Sequence, residues 1–161
     1  GLLDAEIQDA CNVKVWMPEA TARSYGMVIH VDGRAVEGDY INTGVPHFVI
    51  RMDSLDGVDV VGLGRSIRLH PAFAPEGVNV DFEAESGACG TGAVAAAVTA
   101  VEAHAGTLPM AVRTGGGFIL TVDADWRANH CTGLTLTGPV KEVYQGTIDL
   151  ALLGNDLANL E

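Results

Sequence analysis

Cysteine is scarce in this sequence, and its three copies, Cys11, Cys89 and Cys131, stand far apart. An odd number at such wide spacing excludes a disulfide framework, and no Cys-x-x-Cys or Cys/His grouping has the spacing of a metal site. No metal is therefore expected, and a reducing cytoplasm is the simplest home. Basic residues are also few. Nine Lys and Arg against 21 Asp and Glu give a formal net charge of -12, which repels nucleic acid and anionic membrane surfaces. Neither partner is expected. The longest apolar run, around Ala93 to Val101, is too short to cross a bilayer, and the start at Gly1 lacks the basic region and apolar core of a signal peptide. Low-complexity tracts and short repeats are absent as well.

What is present suits one domain. At 161 residues and 48% hydrophobic content the chain can bury a core of its own, and no composition shift marks a linker, so residues 1–161 read as a single domain. Segments rich in β-favouring residues run from Val13 to Met17, Met27 to Val31, His47 to Met52, Asn79 to Phe82, Phe118 to Val122, Leu134 to Thr137 and Thr147 to Leu152. Turn signals separate them at Asp32-Gly33, Gly115 to Gly117 and Thr137-Gly138-Pro139. Two helices interrupt the strands: an amphipathic one from about Val60 to His70, and an apolar one after Cys89 that Gly106 and Pro109 bring to an end. The second helix shows no polar face and needs cover on every side. The expected fold is therefore α+β, a mainly antiparallel sheet curled around a central apolar helix.

The run Ala88-Cys89-Gly90-Thr91-Gly92-Ala93 carries the chemistry. It sets a thiol where a flexible turn opens the apolar helix. The first turn of a helix leaves backbone N–H groups unpaired and carries partial positive charge, and Gly90 and Gly92 let that backbone approach a ligand closely. An anion docks well in such a place, and a cysteine there has its thiolate favoured by the same field. The plainer alternative is a buried, inert cysteine beside a glycine-rich turn. Among the five histidines His47 is the leading partner, because Thr43, Gly44, Val45 and Pro46 form a turn that can present its imidazole, though a structural histidine is as good a reading of that position. Two chemistries fit a Cys89–His47 site. One is nucleophilic attack by an activated thiol, for which the sequence offers no clear residue to orient His47. The other is proton transfer at carbon, with Cys89 as the base, helix N–H groups stabilising a substrate carboxylate and Thr91 adding a hydroxyl donor.

Several segments together resemble the diaminopimelate epimerase family. They are Asn42-Thr43-Gly44-Val45-Pro46-His47, then Gly64-Arg65-Ser66-Ile67-Arg68 with His70, then the stretch from Phe73 to Phe82, then Ala88 to Ala93, and last Leu136-Thr137-Gly138-Pro139. Their order and spacing match along most of the chain. The resemblance implies a cofactor-independent epimerase acting on one α-carbon of diaminopimelate, for lysine and peptidoglycan synthesis. It implies two cysteines on opposite faces of that carbon, one taking the proton and the other returning one. Cys89 matches the cysteine of the family's second half, His47 a histidine that supports the thiols, and Asn79, Gly90 and Thr91 substrate-binding positions.

The chain departs from the family pattern in three places. No segment matches the Cys-Gly-Asn-Gly context of the first half, and Cys11 and Cys131 read as ordinary strand or loop residues. The chain thus reads as the C-terminal half entered at Gly1, with the second cysteine on an absent N-terminal half and a homodimer allowed. A strand ending in Glu-Arg-Gly, found in many members, is missing between Phe82 and Glu83, and Glu85 there is either a substitute base or a solvated carboxylate. Val45 stands where some members carry an asparagine that touches substrate. As written, the chain is expected to be inactive alone. A non-catalytic fragment that binds a carboxylate or packs on a partner is the rival, and a cysteine hydrolase comes third.

Overall fold

The structure is a computed structural model and describes residues 2–83, 90–127, 130–143 and 146–147. In chain order the elements are β1 (Ala5–Ile7), β2 (Asn12–Trp16), β3 (Thr21–Val31), β4 (Arg34–Asn42), β5 (Pro46–Arg51), α1 (Val60–Arg68), a 3-10 turn (Pro71–Phe73), β6 (Asn79–Glu83), α2 (Gly90–Glu102), β7 (Met110–Arg113), β8 (Ile119–Arg127) and β9 (His130–Pro139). The class is α+β. One sheet has the order β1-β2-β9-β8-β7 and a second β3-β4-β5-β6. Every pairing is antiparallel except β5 with β6, which are parallel and joined through α1.

The expected single curled sheet is instead two sheets. Helix α2 packs against β4, β5 and β6 of one and against β7 and β8 of the other. Its residues from Gly92 to Ala100 are all buried, as an all-apolar helix requires. Val94, Ala95, Ala97 and Val98 form one core with Ile41 and Val49 from the four-stranded sheet and Val122, Cys131 and Leu134 from the five-stranded one. A second core lies on the opposite face of the four-stranded sheet, where Ile29, Val31, Phe48, Ile50 and Phe82 meet Ile67 of α1, Phe73 and Val78.

Local chemistry sets the ends of α1. Asp59 caps its start by accepting from the Gly62 N–H at 2.9 Å. The helix stops at Arg68 rather than His70, because His70 instead caps the 3-10 turn, its Nδ1 accepting from the Ala72 N–H at 3.2 Å. Strands β1, β4 and β7 are additions to the sequence-based reading, and β3, β8 and β9 extend beyond the segments expected there. Of the strand expected at Thr147 to Leu152, Thr147 belongs to no element and the remainder lies outside the described residues. Among the described residues no helix is long and apolar enough to cross a membrane.

Candidate functional site

The parallel pairing of β5 with β6 sets His47 opposite Asn79, Val49 opposite Asp81 and Arg51 opposite Glu83. Successive strand residues point to opposite faces. Phe48, Ile50 and Phe82 enter the α1 core, while Val49 enters the α2 core and carries His47, Arg51, Asp81 and Glu83 on its side of the sheet. The α2 face of these two strands is thus a polar stripe laid beside an apolar helix.

His47 is wholly buried, and its Nδ1 lies 2.6 Å from Asp81 Oδ2. Its Nε2 is buried too and has no hydrogen-bond partner among the described residues. Further along the stripe, Arg51 contacts Asp39 at 2.8 Å and Glu83 at 3.4 Å, so one guanidinium links β4, β5 and β6. The Glu83 contact is close enough for ionic attraction but leaves Oε2 without a hydrogen bond among the described residues. Burial pushes the Glu83 carboxyl above its ordinary 4.5, Arg51 opposes that shift, and the neighbouring charges of Asp39 and Asp81 add to it. Asp39 also accepts from the Gly26 N–H at 2.8 Å, which anchors it in the sheet.

The turn before His47 is fastened to the start of α2. Gly44 adopts φ +105°, a conformation that favours glycine, and its N–H donates to Asn42 Oδ1 at 2.9 Å. Thr43, buried in that turn, donates its hydroxyl to the Thr91 carbonyl at 3.4 Å. His47 therefore belongs to a segment tied to the helix start that holds Gly90 and Thr91. A Cβ on Gly90 would come within 3.4 Å of Leu136 Cδ2, so the helix start packs closely on β9. Cys89, Ala88 and Glu85 lie outside the described residues.

Asn79 is engaged elsewhere. Its Oδ1 accepts from Arg68 Nη1 at 3.1 Å, and the same nitrogen donates to the Val78 carbonyl at 3.2 Å. Asn79 thus lines a groove of about 510 Å3 between the end of α1 and the outer edge of β6, with Arg65, Arg68 and Asp81. The other cysteines have different settings. Cys131 is packed in the α2 core, where burial pushes its thiol above 9.0, and Cys11 is exposed ahead of β2. Neither opens a helix. Of the other histidines, His30 and His104 are exposed and His70 serves as a cap. Among the described residues no group of three His, Cys, Asp or Glu side chains is placed to hold a metal.

Asp81 is the residue that sequence reasoning missed. It supplies the group that can orient His47, which the sequence alone did not reveal. Its signal was an acidic residue on the inward face of Asn79-Val80-Asp81-Phe82, a strand that otherwise alternates into apolar cores.

Fold and site together define an α+β domain in which a buried histidine–carboxylate pair stands on a segment fastened to a glycine-rich helix start. The chain is 34% identical to the diaminopimelate epimerase of Aquifex aeolicus strain VF5 over 173 residues, covering 95% of this chain and 61% of that protein. It is 30% identical to the one of Hydrogenobaculum sp. strain Y04AAS1, covering 92% and 59%, and 33% identical to the one of Ectopseudomonas mendocina strain ymp, covering 76% and 49%. Over the shared span the chain belongs to the diaminopimelate epimerase family. It spans about half the length of these curated relatives. The Aquifex match is longer than the 161 residues of this chain, so that relative carries residues inside the matched span with no counterpart here. No family model matches the chain.

Proposed function

We propose that residues 1–161 form the domain equivalent to the C-terminal half of a diaminopimelate epimerase, a cytoplasmic enzyme that interconverts LL- and meso-diaminopimelate without a cofactor. The match to proteins of that name along 95% of the chain carries this reading. In it Cys89 is one of two thiols that exchange protons with the α-carbon, and the other comes from outside these residues, on a preceding half.

The proton count fixes the division of labour. The Cys89 thiolate takes the α-proton and becomes a thiol, while a thiol on the opposite face gives its proton to the carbon and becomes the thiolate. The reverse reaction exchanges the roles. An amino-acid α-proton is weakly acidic, so its removal needs donors already in place for the charge that develops. The N–H groups of Gly90 and Thr91 at the start of α2 hold the substrate carboxylate, Asn79 contributes at the groove beside β6, and His47 serves the thiols. A single thiol can only return a proton to the face from which it came. This chain by itself is therefore expected not to invert the centre.

Alkylation of Cys89 at pH 7 tests the reading. A thiolate favoured by the helix start reacts about tenfold faster than an ordinary exposed thiol, for which Cys11 is the internal standard. Equal rates would favour the second reading, a non-catalytic module that binds a small carboxylate. The half-length span is the observation that supports that alternative. Asp81 gives a cysteine hydrolase the orienting carboxylate it lacked, but the family match favours proton transfer.

A further inference from the structure

Asp81 meets His47 at only one of its two ring nitrogens, and the other ring nitrogen is buried with no hydrogen-bond partner among the described residues. We infer that Asp81 is a positioning residue that fixes the tautomer of His47, holding the proton on Nδ1 and leaving Nε2 as a bare acceptor for a proton-bearing group. The inference rests on the proposal that His47 serves proton transfer.

An ionised carboxylate can only accept hydrogen bonds. At 2.6 Å from Asp81 Oδ2, Nδ1 must therefore carry the hydrogen. A neutral imidazole has one N–H, so Nε2 is left with its lone pair. The main chain reinforces this assignment. Parallel pairing of β5 with β6 sets the two residues on neighbouring strands and on one face, where neither backbone can shift without breaking the ladder. The stripe also keeps Asp81 available. Arg51 contacts Asp39 and Glu83, and among the described residues no arginine forms an ion pair with Asp81.

A buried acceptor without a partner is costly, and native structures keep one where a ligand or reacting group completes it. The group that fits bare Nε2 is a donor: a thiol giving up its proton, or a substrate ammonium. An anion does not fit. With the opposite tautomer His47 would offer N–H to a carboxylate or thiolate, so the tautomer decides whether His47 takes protons or donates a hydrogen bond.

Nitrogen-15 NMR of the labelled chain at pH 8 reads the tautomer directly and does not depend on activity. The expected spectrum shows His47 protonated at Nδ1 and bare at Nε2. In Asp81→Asn, which keeps the size of the side chain, the preference is lost and the Nε2–H form rises to at least a tenth of the population. A wild-type His47 protonated at Nε2, or at both nitrogens, overturns the inference, as does an unchanged tautomer in Asp81→Asn. If that variant fails to fold, the wild-type spectrum alone decides. A Cys89 that alkylates no faster than Cys11, together with the expected tautomer, would refute the epimerase reading and leave the role of Asp81 standing.

Discussion

The two faces of β5 and β6 are built from alternate residues of the same short strands, yet they do opposite work. Phe48, Ile50 and Phe82 on one face pack into an apolar core with α1, and Phe48 lies 5.2 Å from Phe73 between ring centroids. His47, Arg51, Asp81 and Glu83 on the other face form a line of charge and hydrogen bonds beside α2. The apolar face gains from burial alone, at about 1.5–3 kcal/mol for each large side chain. Groups on the polar face lose hydration there and stay only where partners offset the loss. Both faces thus carry a core, since Val49 enters the one around α2, but only the α2 face also holds this line of charged groups.

Substitutions on each face break or sharpen this contrast. The largest effect is expected for Phe48→Ala, which empties a fully buried site and should destabilise the chain by about 3–5 kcal/mol in urea unfolding. A cost near that of an ordinary surface change would mean that the α1 face does not hold the fold. On the polar face, His47→Ala leaves Asp81 without its partner and should cost about 1–3 kcal/mol. A double-mutant cycle between His47 and Asp81 should give a coupling of about 1 kcal/mol or more, and a vanishing coupling would dissolve the pair. Thr43→Val removes one neutral hydrogen bond to Thr91 and should cost about 1 kcal/mol. Its informative effect is on the order of the α2 start, seen as faster amide exchange from Gly90 to Gly92.

The smallest effect concerns pH. Burial raises the Glu83 carboxyl above 4.5 in the folded chain. The folded state then binds more protons than the unfolded state from about pH 4.5 up to the raised value, so stability attributable to Glu83 falls as pH rises through that window. Glu83→Gln removes the titration and should flatten that part of the stability curve. An unchanged curve would show that Arg51 cancels the burial.

Much of the fold was legible because periodicity reports burial. The apolar run from Ala93 to Val101 marked α2 as a buried helix, and the β-favouring residues of His47 to Met52 and Asn79 to Phe82 marked β5 and β6. Strand β4 was not legible. Glu37, Gly38 and Asp39 argue against a strand by composition, and Gly38 and Asp39 have reasons visible only after pairing. A Cβ at Gly38 would lie 2.7 Å from the Val49 carbonyl oxygen, and Asp39 is held by Arg51 from the next strand. Within the site, the motif around Thr43 to His47 pointed to His47, and its tie to Thr91 agrees with the two motifs lying together. Asp81 escaped notice because 34 residues separate it from His47, and only the parallel pairing of β5 with β6 makes them neighbours. The residues just before α2, Cys89 among them, were read from their chemistry and lie outside the described residues.

The central claim is that this chain supplies one proton carrier of a two-carrier site. Incubating the chain with LL-diaminopimelate in deuterium oxide tests it most directly, with α-deuterium followed by NMR and stereochemistry by chiral chromatography. The account predicts deuterium at the α-carbon without inversion, and loss of that exchange in Cys89→Ser. Accumulation of the meso isomer from the chain alone would contradict it.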